Sequence, residues 1–226
     1  MNTGSEFDQF SGKYEDLHNA NVSITGETGE YFAAYKARHI ASSIVSRQDC
    51  KILDYGCGVG LLSKQLKKQL PLARVDGYDV SRASLDRISS ELKRQGTFTS
   101  KPSDLERSYD IVILANVLHH VRPEDRNDAI SGAAAMAGRS GKLVVFEHNP
   151  ANPLTRWAVE HCPFDENAIL LWPRETIEYF TRAGLRQVRR RYIVFFPRAL
   201  KWVRPAERFL GWCPMGAQYV VSGTQG

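Results

Sequence analysis

The chain has 226 residues, of which 42% are hydrophobic and 24% are charged, and its formal net charge is +5. These values fit one α/β domain of ordinary core size with a modest accessory element, so they exclude a chain too polar to bury a core. No apolar run approaches the roughly 20 residues that cross a bilayer, which excludes a transmembrane class.

The N-terminal sequence and the cysteine pattern indicate the cellular compartment that we expect for the protein. Met1–Phe10 is polar and acidic, unlike a signal peptide. The cysteines contain no C-x-x-C pair, and no histidine joins them at zinc-finger spacing. We therefore expect a cytoplasmic protein with reduced thiols and no metal site. The four cysteines are Cys50, Cys57, Cys162 and Cys213.

Strands and helices alternate through most of the chain, which we treat as a single domain over 1–226. Residues 1–46 predict an N-terminal helical cap, polar as far as about residue 26 and helical from about Gly29 to Ser46. Alternation after it predicts a doubly wound, mostly parallel sheet with helices on both faces. The predicted strands are Lys51–Tyr55, Ala73–Tyr78, Thr97–Ser100, Tyr109–Ala115 and Lys142–Glu147, and the predicted helices end near Leu70, run from Ser81 to about Arg94, and run from Pro123 to about Gly138.

From residue 152 onward the regular alternation of strands and helices stops. Residues 152–173 are rich in aromatics and proline and predict a small lid over the carboxyl ends of the strands. A helix over Arg174–Ala183 precedes two strands, Leu185–Phe196 and Gln218–Ser222, whose short connection predicts antiparallel pairing and seven strands in all. Aromatic and neighbouring residues of the insert either wall an apolar acceptor pocket or pack the lid itself. These residues are Trp157, His161, Cys162, Phe164 and Trp172.

A glycine-rich loop, Asp54–Gly60, lies between the first strand and a helix. Its glycines permit a sharp turn and a close approach of ligand, and the helix start offers N–H groups. The dinucleotide fingerprint places its third glycine one position later than Gly60. Asp54 would repel a pyrophosphate, whereas it suits a ligand with a positive end, such as the ammonium of a methionine moiety.

A second acid, Asp79, ends the next strand about 20 residues past the loop, where a carboxylate can accept from both ribose hydroxyls. Each motif alone also fits a tight turn or an acid at a helix start. Together they indicate a ligand that carries both a ribose and an amino-acid end.

Asp54–Gly60, Tyr78–Ser81 and Tyr109–Val121 resemble the class I methyltransferases over about residues 29–148. Within that class the chain is similar to the type-11 group, which includes ubiquinone and menaquinone biosynthesis methyltransferases. The resemblance implies S-adenosylmethionine (SAM) as cofactor and a sheet order of 3-2-1-4-5-7-6 with the last strand reversed. It implies cofactor contacts from Asp54, Gly56, Cys57, Gly58, Gly60, Asp79, Val80, Ser81, Asn116 and Leu118.

One position departs from the pattern of these relatives. Many of them carry an acid after the third strand that meets the adenine amino group, but Gly96–Lys101 has none. Phe98, Thr99 and Ser100 are therefore the candidates for that contact, with Thr99 and Ser100 preferred.

The residues after the fourth and fifth strands bear on the acceptor. Ala115–Leu118 lacks the prolines of enzymes that methylate bases, so we expect a small-molecule acceptor, methylated at oxygen or carbon and prenylated or lipid-linked. An O–H acceptor needs a base, usually histidine. We expect His148 in that role, with Glu147 orienting it or binding the acceptor. His119 is the alternative base. His119 and His120 also fit a structural interpretation, in which one side chain packs against the protein and the other is exposed to solvent.

Basic residues crowd the last quarter of the chain. They fit an anionic partner such as phosphate, a lipid headgroup or RNA, or simply a solvated strand and helix. The stretch 192–202 mixes aromatic and basic residues, which suits peripheral membrane contact or a packed strand and helix. No RNA-binding module is visible, so an RNA methyltransferase is a less favoured alternative, as is a non-catalytic SAM-binding protein. The basic residues are Arg182, Arg186, Arg189, Arg190, Arg191, Arg198, Lys201, Arg204 and Arg208.

Overall fold

A computed structural model describes residues 26–44, 49–162 and 165–226. The expected cap before residue 26, the end of its helix and Phe164 of the insert lie outside these ranges. A seven-stranded sheet has the order β3-β2-β1-β4-β5-β7-β6, and β7 runs antiparallel to both β5 and β6. The predicted order and the reversed last strand are confirmed. The strands are β1 Lys51–Tyr55, β2 Arg74–Tyr78, β3 Phe98–Thr99, β4 Tyr109–Ala115, β5 Ala137–His148, β6 Arg186–Ile193 and β7 Gln218–Thr224.

Helices surround the sheet, and one predicted helix is in fact two. Ser81 accepts a hydrogen bond from the Ser84 N–H, and Ser89 accepts one from the Leu92 N–H. Each serine is an N-cap, so the second cap starts a new helix inside the stretch expected to be continuous. The α-helices are α1 Gly29–Ser43, α2 Leu61–Gln69, α3 Arg82–Asp86, α4 Ser90–Gln95, α5 Arg126–Ala134, α6 Pro153–Glu160 and α7 Pro173–Arg182, with 3₁₀ segments at Pro102–Asp104, Leu118–His120, Pro123–Asp125 and Arg198–Phe209.

The fifth strand also differs from its prediction. β5 begins five residues earlier than expected, because Ala137 already pairs with Tyr109 before the register shifts. The preceding helix therefore ends at Ala134 rather than near Gly138, and its start at Pro123 is a 3₁₀ turn that becomes α-helical at Arg126.

An apolar core fills each face of the sheet. Alternate residues of a strand point to opposite faces, so Leu53 and Val112 pack toward α5 and α7, whereas Ile52 and Ile111 pack toward α1 and α2. Because β1, β2, β4 and β5 are parallel, their carboxyl ends lie at one edge of the sheet. The loops that follow these strands therefore meet there.

The insert over 152–173 lies beside that edge. Asn152 caps α6 by accepting from the Thr155 N–H, and the Ile169 N–H donates to the His119 carbonyl in the loop after β4. The insert is thus hydrogen-bonded to the loop it covers. Among the described helices, none has the length and hydropathy that a membrane span requires.

Candidate functional site

A cavity of about 920 Å³ opens where the four strands end. Its volume is at the upper end of the range of about 300–1,000 Å³ typical of ligand sites. One end is walled by the glycine-rich loop and Asp79, and the other by the loop after β4, the end of β5 and the insert. The cavity therefore joins the two groups of residues that the sequence singles out.

The glycine-rich loop forms the first end. Gly56, Gly58 and Gly60 all have positive φ, a conformation that favours glycine. The N–H groups of Gly56 and Cys57 donate to the Tyr78 carbonyl, and the Gly58 N–H donates to Asp79 Oδ2 at 2.7 Å. These three N–H groups are used within the site, whereas our expectation concerned the N–H groups at the start of α2 and stays a prediction. A Cβ added at Gly58 would meet nothing within 4 Å, so the loop leaves open space beside Gly58.

Two carboxylates line the same end. Asp54 is 1% exposed, and its Oδ2 accepts from the Ser63 hydroxyl at 2.7 Å. Burial raises the pKa of Asp54 to about 6, so a cationic ligand group beside it would stabilise its charged form. Asp79 accepts from the N–H groups of Gly58 and Ser81, which fix the orientation of its carboxylate at the cavity wall.

The structure divides the predicted cofactor residues into two sets. The set that lines the cavity comprises Asp54, Gly56, Cys57, Gly58, Asp79, Val80 and Asn116. The remaining residues lie outside the lining for local reasons. Ser81 caps α3, Leu118 is buried in the core, and an added Cβ at Gly60 would meet Ile88. Thr99 donates its hydroxyl to Asp104, and neither Thr99 nor Ser100 lines the cavity.

Histidines and carboxylates dominate the second end. We define the histidine cluster as His119, His120 and Asp165, all of which line the cavity. Asp165 Oδ1 lies 3.5 Å from His119 Nε2 and 3.4 Å from His120 Nε2. Asp165 belongs to the insert, and nothing in its sequence pattern marks it as a partner of the histidines that follow β4.

Glu147, at the end of β5, contacts the histidine cluster through His119. Its Oε2 lies 2.6 Å from His119 Nδ1, and its Oε1 accepts from the N–H groups of Val117 and Leu118. Glu147 is buried and, unlike Asp54, does not line the cavity. The expectation that it orients His148 or binds the acceptor is corrected: its hydrogen bond orients His119.

The charges of the cluster follow from these contacts. Burial alone would lower the pKa of His119, but Glu147 and Asp165 outweigh it and raise that pKa to about 9. Burial alone would raise the pKa of Glu147, but His119 lowers it to about 2. Burial and the charge of His119 lower the pKa of His120 to about 3. At neutral pH the two adjacent histidines therefore differ in charge.

His148, the expected base, is held by a different chain of contacts. Lys36 Nζ can only donate, so the Asn116 oxygen faces it at 2.9 Å. The Asn116 amide nitrogen then faces His148 Nε2 at 3.0 Å and must donate to it. The neutral ring consequently carries its proton on Nδ1 and has no lone pair left for an acceptor proton. This geometry argues against His148 as the base.

Lys36 is a site residue that our sequence reasoning missed. It lines the cavity from α1 and is 7% exposed. Burial lowers its pKa to about 8, against the charges of Glu147 and Asp54, which raise it. The signal was present in the sequence, because Lys36 falls between Ala33 and Ile40 on the buried stripe of the helix.

The insert contributes aliphatic residues to the cavity. Trp157 is 45% exposed and stacks on His161, and Trp172 is 54% exposed. Neither tryptophan lines the cavity, which favours lid packing over a pocket wall for these two residues. Cys162 does line the cavity, together with Leu154, Ala158, Val159 and Ile169.

Known proteins resemble this chain in sequence. A family model described as a methyltransferase domain matches residues 53–143. An uncharacterized methyltransferase of Staphylococcus carnosus is 27% identical over 146 residues, 63% of this chain and 68% of the relative. One of Bacillus cereus is 25% identical over 190 residues, 79% of this chain and 86% of the relative.

Solved structures share the fold. A SAM-dependent methyltransferase of Thermotoga maritima superposes with a TM-score of 0.66 at 16% identity, over 99% of this chain and all of that one. Magnesium protoporphyrin IX methyltransferase of Synechocystis, solved with bound SAH, gives a TM-score of 0.61 at 17% identity, over 92% of this chain and 86% of that one. The methyltransferase-domain match and the curated relatives support an S-adenosylmethionine-dependent methyltransferase, and the sheet order and the solved structures show that it has the fold of the class I enzymes.

Proposed function

We propose that this methyltransferase transfers a methyl group to an oxygen of an amphiphilic, lipid-linked small molecule. The observation that carries the proposal is the continuity of the cavity from the glycine-rich loop to the histidine cluster and the apolar wall of the insert. One reactant fits each end, and the methyl group passes between them.

The cofactor occupies the end formed by the glycine-rich loop in this proposal. Asp54 supplies a buried negative charge for the ammonium group of the methionine part, and Asp79 supplies oxygens for the ribose hydroxyls. Gly58 leaves room for the cofactor to pass close to the backbone. The sulfonium methyl then points toward the loops after β4 and β5.

The acceptor oxygen lies at the histidine cluster. Methyl transfer is an in-line displacement in which positioning supplies much of the rate, and an O–H acceptor must also lose a proton. His120 is partly exposed and adjoins Asp165 at the cavity wall. The cluster therefore places polar groups where that proton leaves, and it replaces His148 as the centre of our mechanism.

The rest of the acceptor contacts apolar surface. Leu154, Val159 and Ile169 line the cavity beside the cluster. Phe195 and Phe196 line it from the segment after β6. A hydrocarbon chain next to the reacting oxygen would cover these side chains, which favours a lipid-linked acceptor.

The protein surface that follows Phe195 and Phe196 along the chain suits contact with a membrane. We define the basic–aromatic segment as residues 198–215, in which Trp202, Phe209 and Trp212 are 76%, 65% and 75% exposed. Exposed basic side chains accompany them at Arg198, Lys201 and Arg208. Exposed aromatic residues interspersed with positive charges are typical of segments that lie in the interface of an anionic membrane.

The segment is held against the cavity by one buried carboxylate. Glu207 accepts from the Tyr35 hydroxyl and from the N–H groups of Phe195 and Phe196. Arg204, which follows Arg198 in the same segment, lines the cavity and lies over the Tyr31 ring. A membrane bound by the segment would therefore lie next to the mouth through which a lipid-linked acceptor enters.

Labelled cofactor tests the acceptor class. The purified protein is incubated with methyl-labelled SAM and either a lipid extract or an aqueous extract of the source cells. We expect label in the organic phase, bound through a base-stable methyl ether or an alkali-labile methyl ester. Label confined to aqueous metabolites or to RNA would contradict the lipid-linked acceptor.

Vesicle binding tests the membrane contact separately. We expect the protein to sediment with vesicles rich in phosphatidylglycerol and to be released by salt, since surface charge attraction is screened. The double variant Trp202→Ser/Trp212→Ser should lose most of this binding. Trp157→Ser/Trp172→Ser, which removes two exposed tryptophans of the insert, is the matched control. Equal loss in both variants would refute the segment as the membrane contact.

A further inference from the structure

The histidine cluster has the composition of a metal site. One ring nitrogen of His119, one of His120 and a carboxylate oxygen of Asp165 all lie within 4.8 Å of one another. We propose that the histidine cluster binds a divalent metal ion of the zinc class, which takes the acceptor oxygen as a further ligand. Our sequence analysis predicted no metal site, because the third ligand lies far along the chain in the insert.

The distances fit a shared ion better than direct ion pairs. Asp165 Oδ1 lies 3.5 Å from His119 Nε2 and 3.4 Å from His120 Nε2. Charge-assisted hydrogen bonds are shorter, about 2.7–2.9 Å. Two ligands bonded at about 2.0–2.1 Å to one tetrahedral zinc ion are about 3.4 Å apart.

The surroundings of His119 fit the same role. A histidine that binds a metal through one nitrogen usually donates its other N–H to a carboxylate or carbonyl. His119 Nδ1 lies 2.6 Å from Glu147 Oε2, which leaves Nε2 directed at Asp165. Two backbone N–H groups fix Glu147 in turn. Glu147 therefore orients the His119 ring in the same way that a carboxylate next to a metal site orients a histidine that binds the metal.

The ligand number also matches a catalytic centre. Catalytic zinc sites have three protein ligands and leave one position open. The three residues of the cluster line the cavity, so the open position faces the space that an acceptor would occupy. Imidazole and carboxylate are ligands that suit zinc, and harder ions such as Mg²⁺ prefer oxygen alone.

The chemistry rests on the proposed function. An acceptor hydroxyl bound to the ion is more acidic and releases its proton to water. Its lone pair then forms the O–CH₃ bond while the S–CH₃ bond breaks and its electron pair stays on sulfur. SAM and the hydroxyl thus become SAH, the methylated oxygen and one proton.

Metal binding can be measured without an acceptor, so its outcome is independent of the proposed function. The full chain is treated with a chelator, and Zn²⁺ is then titrated by calorimetry. We expect one site per chain, because the three residues supply a single set of ligand atoms. Co²⁺ in its place should give visible absorption with nitrogen and oxygen ligands.

Variants assign the ion to the cluster. His120→Ala and Asp165→Asn should each lower Zn²⁺ affinity by more than about 100-fold. Glu147→Gln, which alters only the outer carboxylate, should lower it by about 10–100-fold. Binding of SAH to each variant verifies that the fold is intact.

Two controls exclude other donors. His161→Ala removes an exposed histidine outside the cluster, and Cys162→Ser removes a thiol that also lines the cavity. Both should retain wild-type affinity. Absence of Zn²⁺ binding by the wild type, or equal binding by the folded His120→Ala and Asp165→Asn variants, would overturn the proposal.

Discussion

The two ends of the cavity are built in different ways. The end proposed for the cofactor, which we call the cofactor end, comes from the loops after the neighbouring strands β1 and β2. The N–H groups of its glycine-rich loop donate to Tyr78 and Asp79 within the same end. The end proposed for the acceptor, which we call the acceptor end, assembles side chains from α1, the loop after β4, β5 and the insert. The first end depends on backbone shape and the second on side chains that only the folded sheet brings together.

The largest expected effect lies at the acceptor end. Replacing His120 with alanine or Asp165 with asparagine should lower turnover by about 10²–10⁴, the usual contribution of a positioned proton-transfer group. SAH affinity should change by less than about twofold, since neither residue belongs to the cofactor end. Label transfer into the active extract and SAH calorimetry measure the two quantities. Full turnover in both variants would show that the cluster takes no part.

The next effect lies in the glycine-rich loop. Gly58→Val places a branched side chain in space that is open to the cavity, so SAH affinity should fall by more than about 100-fold, or about 2.7 kcal/mol. Gly184→Val is the matched control, because Gly184 also has positive φ and open surroundings but lies after α7. Both variants bear a similar backbone strain of about 1–2 kcal/mol. If Gly58→Val and Gly184→Val lose SAH affinity equally, backbone strain is responsible for the loss and a clash with SAH is not.

Asp79 should have a smaller effect on the same quantity. Asp79→Ala removes charge-assisted hydrogen bonds worth about 1.5–3 kcal/mol, which corresponds to a fall in SAH affinity of about 10–100-fold. Asp104→Ala, which removes an exposed carboxylate beside β3, should leave calorimetric affinity unchanged. If Asp79→Ala binds within twofold of wild type, another group holds the ribose.

The smallest effect is expected at His148. His148→Gln can retain an acceptor for the Asn116 amide, so turnover should remain within about threefold of wild type in the label-transfer assay. His148→Leu removes that acceptor and should lower stability by about 1–3 kcal/mol, the cost of a buried polar group left without a partner. Loss of turnover by a stable His148→Gln protein would restore His148 as the base.

The same division explains what could be predicted from the sequence. The sheet order and the glycine-rich loop follow from short local patterns, such as the buried run Ile111–Leu114 and the glycines after β1. The pairing of Glu147 with His119 and the position of Asp165 depend on register and on the path of the insert. No local pattern encodes such contacts, which is why Glu147 was assigned to the wrong histidine.

Thr99 and Trp157 show two further limits of local patterns. The resemblance implied an adenine contact after β3, with Thr99 among the candidates, but the sequence did not show that the Thr99 hydroxyl donates to Asp104. Aromatic content left a pocket wall and lid packing both open, and α6 directs Trp157 outward and its smaller neighbours inward. Composition alone does not tell which face of a short helix is buried.

A crystal structure of the protein with bound SAH tests the central claim most directly, because it locates both ends of the cavity at once. We predict that the ammonium group lies within about 3.2 Å of Asp54, the usual hydrogen-bond limit, and that the ribose hydroxyls contact Asp79. The sulfur should face the histidine cluster across open space. SAH bound with its sulfur directed away from His120 and Asp165 would contradict the assignment of the two ends.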